Sequence, residues 1–198
     1  MTLRTKRTSS VDWNKHSQLA GTHAFLSASK YHWNNWTLDK LDRAFTTHQA
    51  AQRGTALHAL AHMAIGLRQY MGGPEQEHNT LSLYVRDAID LGMVSEQMLF
   101  VSRNCFGTAD TIGFKKRKLN IHDLKTGVTA TSYHQLENYA AFFCLEYGVD
   151  PYDIEIELRI YQNDEIRVYD ADPAAITAIM KTIIEFDSYI ERRRAEEE

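Results

Sequence analysis

The sequence predicts an α/β (α+β) domain in which one central mixed β-sheet is flanked by helices, with a helical region at its N-terminal end. Segments with apolar residues at helical spacing alternate with short segments of strand type. Their order along the chain is helices, three strands, helix, two strands, helix. With 198 residues, the chain is long enough for one well-filled domain. We therefore expect a single domain over residues 1–198, with helices over 21–92 and the sheet core with its flanking helices over 93–198.

The first part of the chain has helical patterning after residues 1–20, which we expect to be flexible. Ser27–Lys30 is typical of a helix start. A long helix is predicted over Thr46–Tyr70, ended by Gly72-Gly73-Pro74, and another over Leu81–Leu91. The long helix has these apolar residues at helical spacing: Leu57, Leu60, Ala61, Ala64 and Ile65.

Strand patterning dominates the second part. Five strands are predicted: Glu96–Ser102, Phe106–Phe114, Lys118–Lys125, Ile154–Gln162 and Glu165–Tyr169. Asn163-Asp164 is expected to form a hairpin turn between the last two. Helical spacing returns over Ser132–Tyr147. The last helix is predicted to begin at Asp172-Pro173, an N-cap residue followed by proline at the first helical position.

The composition excludes several classes of protein. The 43% hydrophobic and 24% charged residues are not those of a disordered chain. No apolar run approaches the ~18 residues of a membrane span, and Met1–Ser10 lacks the apolar core of a secretion signal. The two cysteines, Cys105 and Cys144, are too few for a disulfide scaffold or a four-thiolate metal site. We expect a cytoplasmic protein without membrane association.

The charge distribution leaves two interpretations open. A net charge of −4 argues against a protein that binds nucleic acid with its whole surface. However, a local basic run, Lys115–Lys118, can steer a polyanion, because local potential governs encounter. The same run also fits a solvated hairpin turn.

The most informative segment is the third predicted strand. Alternate residues of a strand share a face, so Leu119, Ile121, Asp123 and Lys125 are expected on one side. The two apolar residues indicate the core side, which puts the acid and the amine at the sheet margin, roughly 6–7 Å apart along the strand. Asp110 would supply a second carboxylate if the second and third strands pair as a hairpin.

Two carboxylates and a lysine suit metal-assisted hydrolysis of a phosphodiester. Hard oxygen ligands favour Mg²⁺ or Mn²⁺. Such an ion lowers the pKa of a bound water, and a lysine can stabilise the developing phosphate charge. The alternative is an ordinary salt bridge at a strand end, which Asp-X-Lys by itself favours.

Four segments in order strengthen the nuclease interpretation. They are Gly54-Thr-Ala-Leu-His58, Gly107-Thr-Ala-Asp110, Asp123-Leu-Lys125-Thr-Gly127 and Gln135-Leu-Glu-Asn-Tyr139. With them the sequence resembles the PD-(D/E)XK nuclease superfamily, specifically its RecB-like exonuclease branch of the phage type, over about residues 53–140. The resemblance implies a restriction-endonuclease-like core and a metal-dependent DNA nuclease, most often an exonuclease, that acts in recombination, repair or processing.

The resemblance also implies roles for individual residues. The metal, Mg²⁺ or Mn²⁺, would be bound by His58, Asp110, Asp123 and the backbone carbonyl of Leu124. Lys125 would be the catalytic lysine, and Gln135 and Tyr139 would hold the active site and the DNA backbone. Iron–sulfur members use four cysteines, so no cluster is expected here. No Walker loop is present, so no nucleotide cofactor is expected.

The implied partner is DNA, as single strands or duplex ends, together with a recombination or replication protein; the oligomeric state stays open. Affinity for DNA should depend on salt through phosphate contacts. We expect Lys30 to contribute, together with Lys115, Lys116, Arg117 and Lys118.

Each site residue has an alternative interpretation. His58 could be a core histidine, Gln135 the capping-box partner of Ser132, and Tyr139 a core residue. His62, four residues after His58, is expected to pack or lie on the surface and not to bind metal. For the whole chain, the alternative is a nuclease fold with weak or absent catalysis that binds DNA or a protein.

Overall fold

The computed structural model describes Ser17 and residues 24–73, 79–129 and 131–197. The chain divides into two compact units, Met1–Gln49 and Ala50–Glu198. Residues 1–20, predicted to be flexible, lie outside the described residues apart from Ser17. The sheet and the residues of the candidate catalytic site belong to the second unit.

Within the described residues there are four α-helices and five strands. The helices are α1 (Leu38–Gly66), α2 (Thr80–Asp90), α3 (His134–Tyr147) and α4 (Pro173–Glu197). The strands are β1 (Val94–Ser102), β2 (Cys105–Lys115), β3 (Lys118–Leu124), β4 (Glu155–Gln162) and β5 (Glu165–Asp170). Two 3₁₀ helices span Ala28–Asn35 and Pro151–Asp153. None of the described helices has both the length and the apolar character needed to cross a membrane.

The five strands form one sheet in the order β1-β2-β3-β4-β5. Neighbouring strands are antiparallel except β3 and β4, which are parallel and are joined through α3. The predicted mixed sheet flanked by helices is therefore confirmed. Each strand begins and ends within two residues of its predicted bounds.

The β2–β3 and β4–β5 hairpins have two-residue turns with left-handed backbone. Lys116 and Arg117 have φ of 52° and 64°, and Asn163 and Asp164 have φ of 54° and 60°. These values are typical of type I′ turns, whose twist matches that of the flanking strands. The predicted turn at Asn163-Asp164 is confirmed.

The hydrophobic core lies on both sides of the sheet. One cluster joins the sheet to α3 and α4 through Leu119, Ile121, Leu136, Leu158, Ile160 and Ile176. The other joins it to α1 and α2 through Ala61, Ala64, Ile65, Val85, Ala88, Leu124 and Tyr161. Strand β3 contributes Leu119 and Ile121 to the first cluster and Leu124 to the second, as the alternation of side chains requires.

The predicted bounds of α1 were wrong at both ends, since it begins before Thr46 and ends before Tyr70. Its C-terminus is a Schellman motif, in which the Gln69 amide donates to the Ala64 carbonyl and the Arg68 amide to the Ile65 carbonyl. Arg68 takes the left-handed position with φ of 51°. Thus Gly72-Gly73 lies beyond the end of the helix and does not terminate it. The start of α4 is as predicted, with Asp172 Oδ1 accepting from the Ala174 amide.

Candidate metal and catalytic site

Helix α1 brings His58 to the sheet through a close approach at Gly54. A Cβ at Gly54 would lie 2.6 Å from Thr126 Oγ1, in the segment that follows β3. His58 comes about one helical turn later, and its Nδ1 lies 3.4 Å from Asp110 Oδ2. The His58 side chain is 31% exposed, so the core-histidine interpretation does not hold.

The β2–β3 hairpin brings the two aspartates together. Its register pairs Ile112 with Ile121 and Thr111 with His122, so Asp110 comes opposite Asp123 one position further on. Asp110 Oδ2 also accepts a hydrogen bond of 3.2 Å from the Leu124 amide. The hairpin thus supplies the second carboxylate in the way the sequence predicts.

Lys125 is held between Asp123 and Gln135. Its Nζ donates to Asp123 Oδ1 and to Gln135 Oε1, each at 3.0 Å. Gln135 Nε2 in turn donates to the Tyr139 hydroxyl at 3.4 Å. Two of the four motifs, those that contain Lys125 and Gln135, are therefore linked by side-chain contacts.

Asp123 is not part of an ordinary surface salt bridge, because its residue is only 3% exposed. Its Oδ2 lies 2.9 Å from Lys125 Nζ, but the angles do not make a hydrogen bond. Among the described residues this buried oxygen has no hydrogen-bond partner. The Lys125 ammonium beside it offsets part of the cost of burying this carboxyl group.

Tyr139 has both a packing and a polar role. A Cβ at Gly107 would lie 3.0 Å from Tyr139 Cε1, so the absence of a side chain at Gly107 lets the ring lie directly on β2. The Tyr139 ring also packs against the core cluster below α3, while its hydroxyl accepts from Gln135. The packing interpretation of Tyr139 therefore holds, alongside the contact with Gln135.

The capping-box interpretation of Gln135 is wrong. Helix α3 begins at His134 with Tyr133 as its N-cap, and no side chain caps it. Since the helix starts two residues later than Ser132, Gln135 is not at the third helical position that a capping box requires. Its side chain instead accepts a hydrogen bond from Lys125 and donates one to the Tyr139 hydroxyl.

Burial and the neighbouring charge of Asp123 raise the pKa of Asp110 to about 6, against the opposing attraction of His58. Burial here disfavours the ionised carboxylate, and two acids at close range repel each other. A cation at this point would relieve both effects.

Glu96 joins this group, although the sequence did not single it out. Ligand atoms of His58, Glu96 and Asp110 all lie within 4.8 Å of one another. The pairs Ser95–Thr111 and Gln97–Ala109 place Glu96 opposite Asp110 across the β1–β2 ladder. Glu96 also has φ of 54°, a conformation uncommon for a residue other than glycine.

His62 is exposed, and its Nδ1 lies 2.7 Å from Ser95 Oγ. It therefore connects α1 to β1 next to Glu96 and lies on the surface, one of the two placements that the sequence led us to expect.

A buried polar network lies on the other face of β3. His122 is fully buried, with Nδ1 3.3 Å from the Tyr161 hydroxyl. That hydroxyl donates to Asp87 Oδ2 at 2.8 Å, and Arg159 donates to the same oxygen at 3.0 Å. Burial and the charge of Arg159 lower the pKa of His122 to about 3, so it is neutral at physiological pH.

The basic residues of the β2–β3 turn, predicted to bind DNA, lie at the opposite end of these strands from Asp110 and Asp123. Lys118 begins β3, five residues before Asp123, which corresponds to about 16 Å along a strand. Lys118 is paired with Glu157 at 2.7 Å and Arg117 with Asp153 at 3.3 Å. Lys30 is exposed in the 3₁₀ helix Ala28–Asn35 of the first unit.

Comparison with protein-family models, with curated proteins and with solved structures finds no match to this chain. Support for any function therefore comes from the motifs and from the geometry around His58, Asp110, Asp123 and Lys125.

Proposed function

We propose that this protein is a Mg²⁺- or Mn²⁺-dependent deoxyribonuclease, acting as an exonuclease that hydrolyses phosphodiester bonds at DNA ends. One observation carries the proposal. The Lys125 ammonium is fixed between a buried carboxylate, Asp123, and Gln135, and that carboxylate lies opposite Asp110, which contacts His58.

The donor set fits a hard divalent cation. Asp110 and Asp123 offer carboxylate oxygens, and His58 offers an imidazole nitrogen. Asp123 Oδ2 accepts no hydrogen bond among the described residues, and although the Lys125 ammonium lies 2.9 Å from it, this oxygen can also bind a metal ion. By the sequence resemblance, the Leu124 carbonyl would be a further ligand. A bound ion would supply a water of lowered pKa and would offset negative charge on the phosphate.

The other side chains would position the substrate and the lysine. Lys125 carries a positive charge at the edge of the acidic group, where it can donate to a phosphate oxygen on which charge develops. Gln135 accepts from Lys125 and is itself held by Tyr139, which limits the positions of the ammonium group. The reaction class that fits these residues is hydrolysis of a phosphodiester.

The test is cleavage of end-labelled single-stranded, duplex and circular DNA in the presence of Mg²⁺, Mn²⁺ or EDTA. We expect metal-dependent loss of nucleotides from linear DNA and an intact circle. Asp110→Asn and Lys125→Ala should each lower the rate by at least about 100-fold. Matched controls are Asp170→Asn at the end of β5 and Lys181→Ala on α4, both exposed and expected to cut at the normal rate.

Unchanged cleavage by the Asp110 and Lys125 variants would show that the assigned site is wrong. DNA binding that ignores divalent metal, without cleavage of any substrate, would support the binding-module alternative.

The proposal includes a setting and partners. The enzyme would act in the cytoplasm, that of the host if a phage encodes it, during recombination, repair or processing of DNA. A recombination or replication protein would then supply the DNA ends.

A further inference from the structure

The end of the β1–β2 hairpin extends beyond the rest of the sheet. Strand β2 begins at Cys105, but its ladder with β3 begins only at Thr111. Residues 105–110 therefore have β1 as their single partner among the described strands. One side of this hairpin end, which we call the hairpin strip, is formed by Met98 and Phe100 on β1 and by Phe106 and Thr108 on β2.

The hairpin strip lies on the same side of the sheet as Asp110. Leu99 and Ala109 point to the other side, where they join the core cluster between the sheet and α3, and Gly107 lies against α3 as well. Because side chains alternate along a strand, the residues of the strip point away from α3. Asp110 does the same and contacts His58 on α1. The strip therefore leads from the hairpin end to the acidic group.

Helix α1 crosses this side of the sheet diagonally and leaves the hairpin strip uncovered. It approaches the segment after β3 at Gly54, β2 at His58 and β1 at His62. A strand bound at Asp110 would therefore meet α1 in the direction of His62, whereas the direction of Phe106 is open.

Phe100 and Phe106 form an exposed aromatic pair on the strip. They are direct cross-strand partners, their ring centroids are 6.4 Å apart, and their ring planes differ by 26°. Phe100 is 51% and Phe106 is 55% exposed, although phenylalanine is among the residues most often buried. Nearly parallel aromatic faces that are open to solvent suit stacking on flat unsaturated rings such as nucleobases.

The spacing between this pair and the acids fits a nucleic-acid strand. Phe106 is four residues from Asp110 on β2, which corresponds to about 13 Å along a strand. Stacked nucleotides repeat about every 3.4 Å along one strand, so about four of them would cover that distance. The strip has no charged side chain, so contact with it would involve bases and not phosphates.

The hairpin end is held in place by contacts outside the strip. Ser102 Oγ and Asn104 Nδ2 both donate to Asp187 Oδ1 on α4, at 2.6 and 2.8 Å. The Phe100 amide donates to Glu146 Oε2 on α3 at 2.9 Å. That amide is therefore not free to pair with a further strand, and the strip is preorganised for a ligand on its face.

We propose that the hairpin strip stacks on unpaired bases of a DNA strand whose scissile phosphate lies at Asp110, with Phe100 and Phe106 as the binding residues. The inference rests on the proposed nuclease function and deepens it, since it makes single-stranded DNA, or the unpaired end of a duplex, the substrate class. Inside a duplex the base faces stack on one another and are not available to the strip.

The test measures the affinity of the full chain for an end-labelled single strand by fluorescence anisotropy. Ca²⁺ replaces Mg²⁺, and a gel checks that the strand stays intact. Phe100→Leu and Phe106→Leu keep an apolar side chain without an aromatic face, and each should weaken binding by about tenfold. Because no phosphate contact is lost, the dependence of affinity on salt should not change. Phe186→Leu on α4, also exposed, is the matched control and should bind like the unaltered protein.

Strands that lack a single base separate stacking from a structural effect of the variants. The unaltered protein should lose about tenfold in affinity when the missing base is the one that stacks, found by moving the gap along the strand. The Phe100→Leu/Phe106→Leu double variant should be indifferent to the same gap, because no aromatic face is left to contact the base. Phe106→Leu alone gives the same comparison if the double variant does not fold.

The outcomes for the two proposals are distinguishable. Equal losses from a missing base in the unaltered protein and the double variant, or no loss at any position, would overturn the stacking strip and leave the nuclease proposal intact if DNA is digested. A stable dimer that the double variant dissociates, measured by light scattering, would also overturn it, because the strip would then be an interface between copies.

The remaining outcomes concern the nuclease function. Stacking that depends on Phe100 and Phe106, without cleavage of any DNA in Mg²⁺ or Mn²⁺, would overturn the nuclease function and retain the strip as a DNA-binding surface. No binding of any DNA would overturn both proposals.

Discussion

Gly54 on α1 lies so close to Thr126 that a Cβ added to the glycine would stand 2.6 Å from the threonine Oγ1. This approach sets the distance between the helix that carries His58 and the segment that follows Lys125. The close packing against Thr126 therefore explains why the motif around His58 begins with a glycine, Gly54.

Gly54→Ala should destabilise the protein by about 1 kcal/mol, because the clash outweighs the gain in helix propensity. In a Thr126→Ala background the obstructing oxygen is gone, and the same change should stabilise the protein by up to about 1 kcal/mol. A double-mutant cycle of urea unfolding measures this coupling. Gly66→Ala, in the same helix with open space around it, is the control for propensity. Equal effects of Gly54→Ala in both backgrounds would contradict the close contact.

Asp110→Asn should stabilise the metal-free protein at pH 7.5 but not at pH 4. The pKa of Asp110 is raised from 3.8 to about 6, so the folded state binds a proton more tightly than the unfolded state. The contribution of Asp110 to the free energy of unfolding is therefore greatest at low pH. It falls by up to about 3 kcal/mol as pH rises through about 6. Urea unfolding in EDTA at both pH values gives the difference in free energy of unfolding between the variant and the unaltered protein, with Asp170→Asn as control.

In saturating Mn²⁺ the proposed cation site predicts that the unaltered protein is more stable than Asp110→Asn, because the ion binds the folded state. A pH-independent effect of Asp110→Asn would argue against the raised pKa.

His122 should make the protein sensitive to acid. Its pKa is lowered from 6.5 to about 3, so the unfolded chain takes up a proton that the folded state excludes. Stability from this group is present above pH 6.5 and lost as pH falls, by about 2 kcal/mol at pH 5. His122→Leu removes that proton uptake, so the stability difference between variant and unaltered protein should shift by this amount between pH 7.5 and 5. The exposed His32→Gln variant should show no such shift.

Gln135→Ala should lower the rate of DNA cleavage by about tenfold without changing the number of Mn²⁺ ions bound. The change removes one of the two acceptors of the Lys125 ammonium, while Asp123 still accepts from it. The rate should therefore fall because the ammonium group is less well positioned. A tenfold lower rate corresponds to about 1.4 kcal/mol of activation free energy. Tyr139→Phe keeps the ring on Gly107 and removes only the 3.4 Å contact to Gln135, so its effect should be smaller. Asn138→Ala, exposed on the same helix, is the control. Single-turnover kinetics and Mn²⁺ titration measure the two quantities. Loss of Mn²⁺ binding in Gln135→Ala would assign this residue a different role.

The order of strands and helices could be predicted because alternation and helical spacing are local properties of the sequence. The end of α1 could not, because it depends on Arg68 in a left-handed conformation, and arginine gives no sign of that preference. Tyr70 continued the apolar spacing, but its hydroxyl bonds to Asp90 beyond the end of the helix.

The pairing of Asp110 with Asp123 was predictable because a tight turn fixes the register of the β2–β3 hairpin. Glu96 could not be found in the same way. The turn between β1 and β2 pairs Ser102 with Cys105, and an unshifted ladder from that pair would put Gln97 opposite Asp110. An irregularity between Phe100 and Ser102 shifts the register by one residue and puts Glu96 there instead. No composition signal marks that shift.

The association of His58 with Asp110 was expected only from the resemblance to RecB-like nucleases, since no periodicity connects residues 52 positions apart. The contact at Gly54 gives it a physical basis in this chain.

Strand β1 is at the margin of the described sheet and has β2 as its single partner strand there, whereas β3 is bonded on both sides. Marginal strands separate from a sheet at a lower free energy than interior strands, and amide hydrogen exchange detects such local opening. Glu96 on β1 can therefore move away and return while Asp110 and Asp123, on interior strands, stay in place. A cation bound between Glu96 and Asp110 would hold β1 to β2, and slower exchange of the β1 amides would report it.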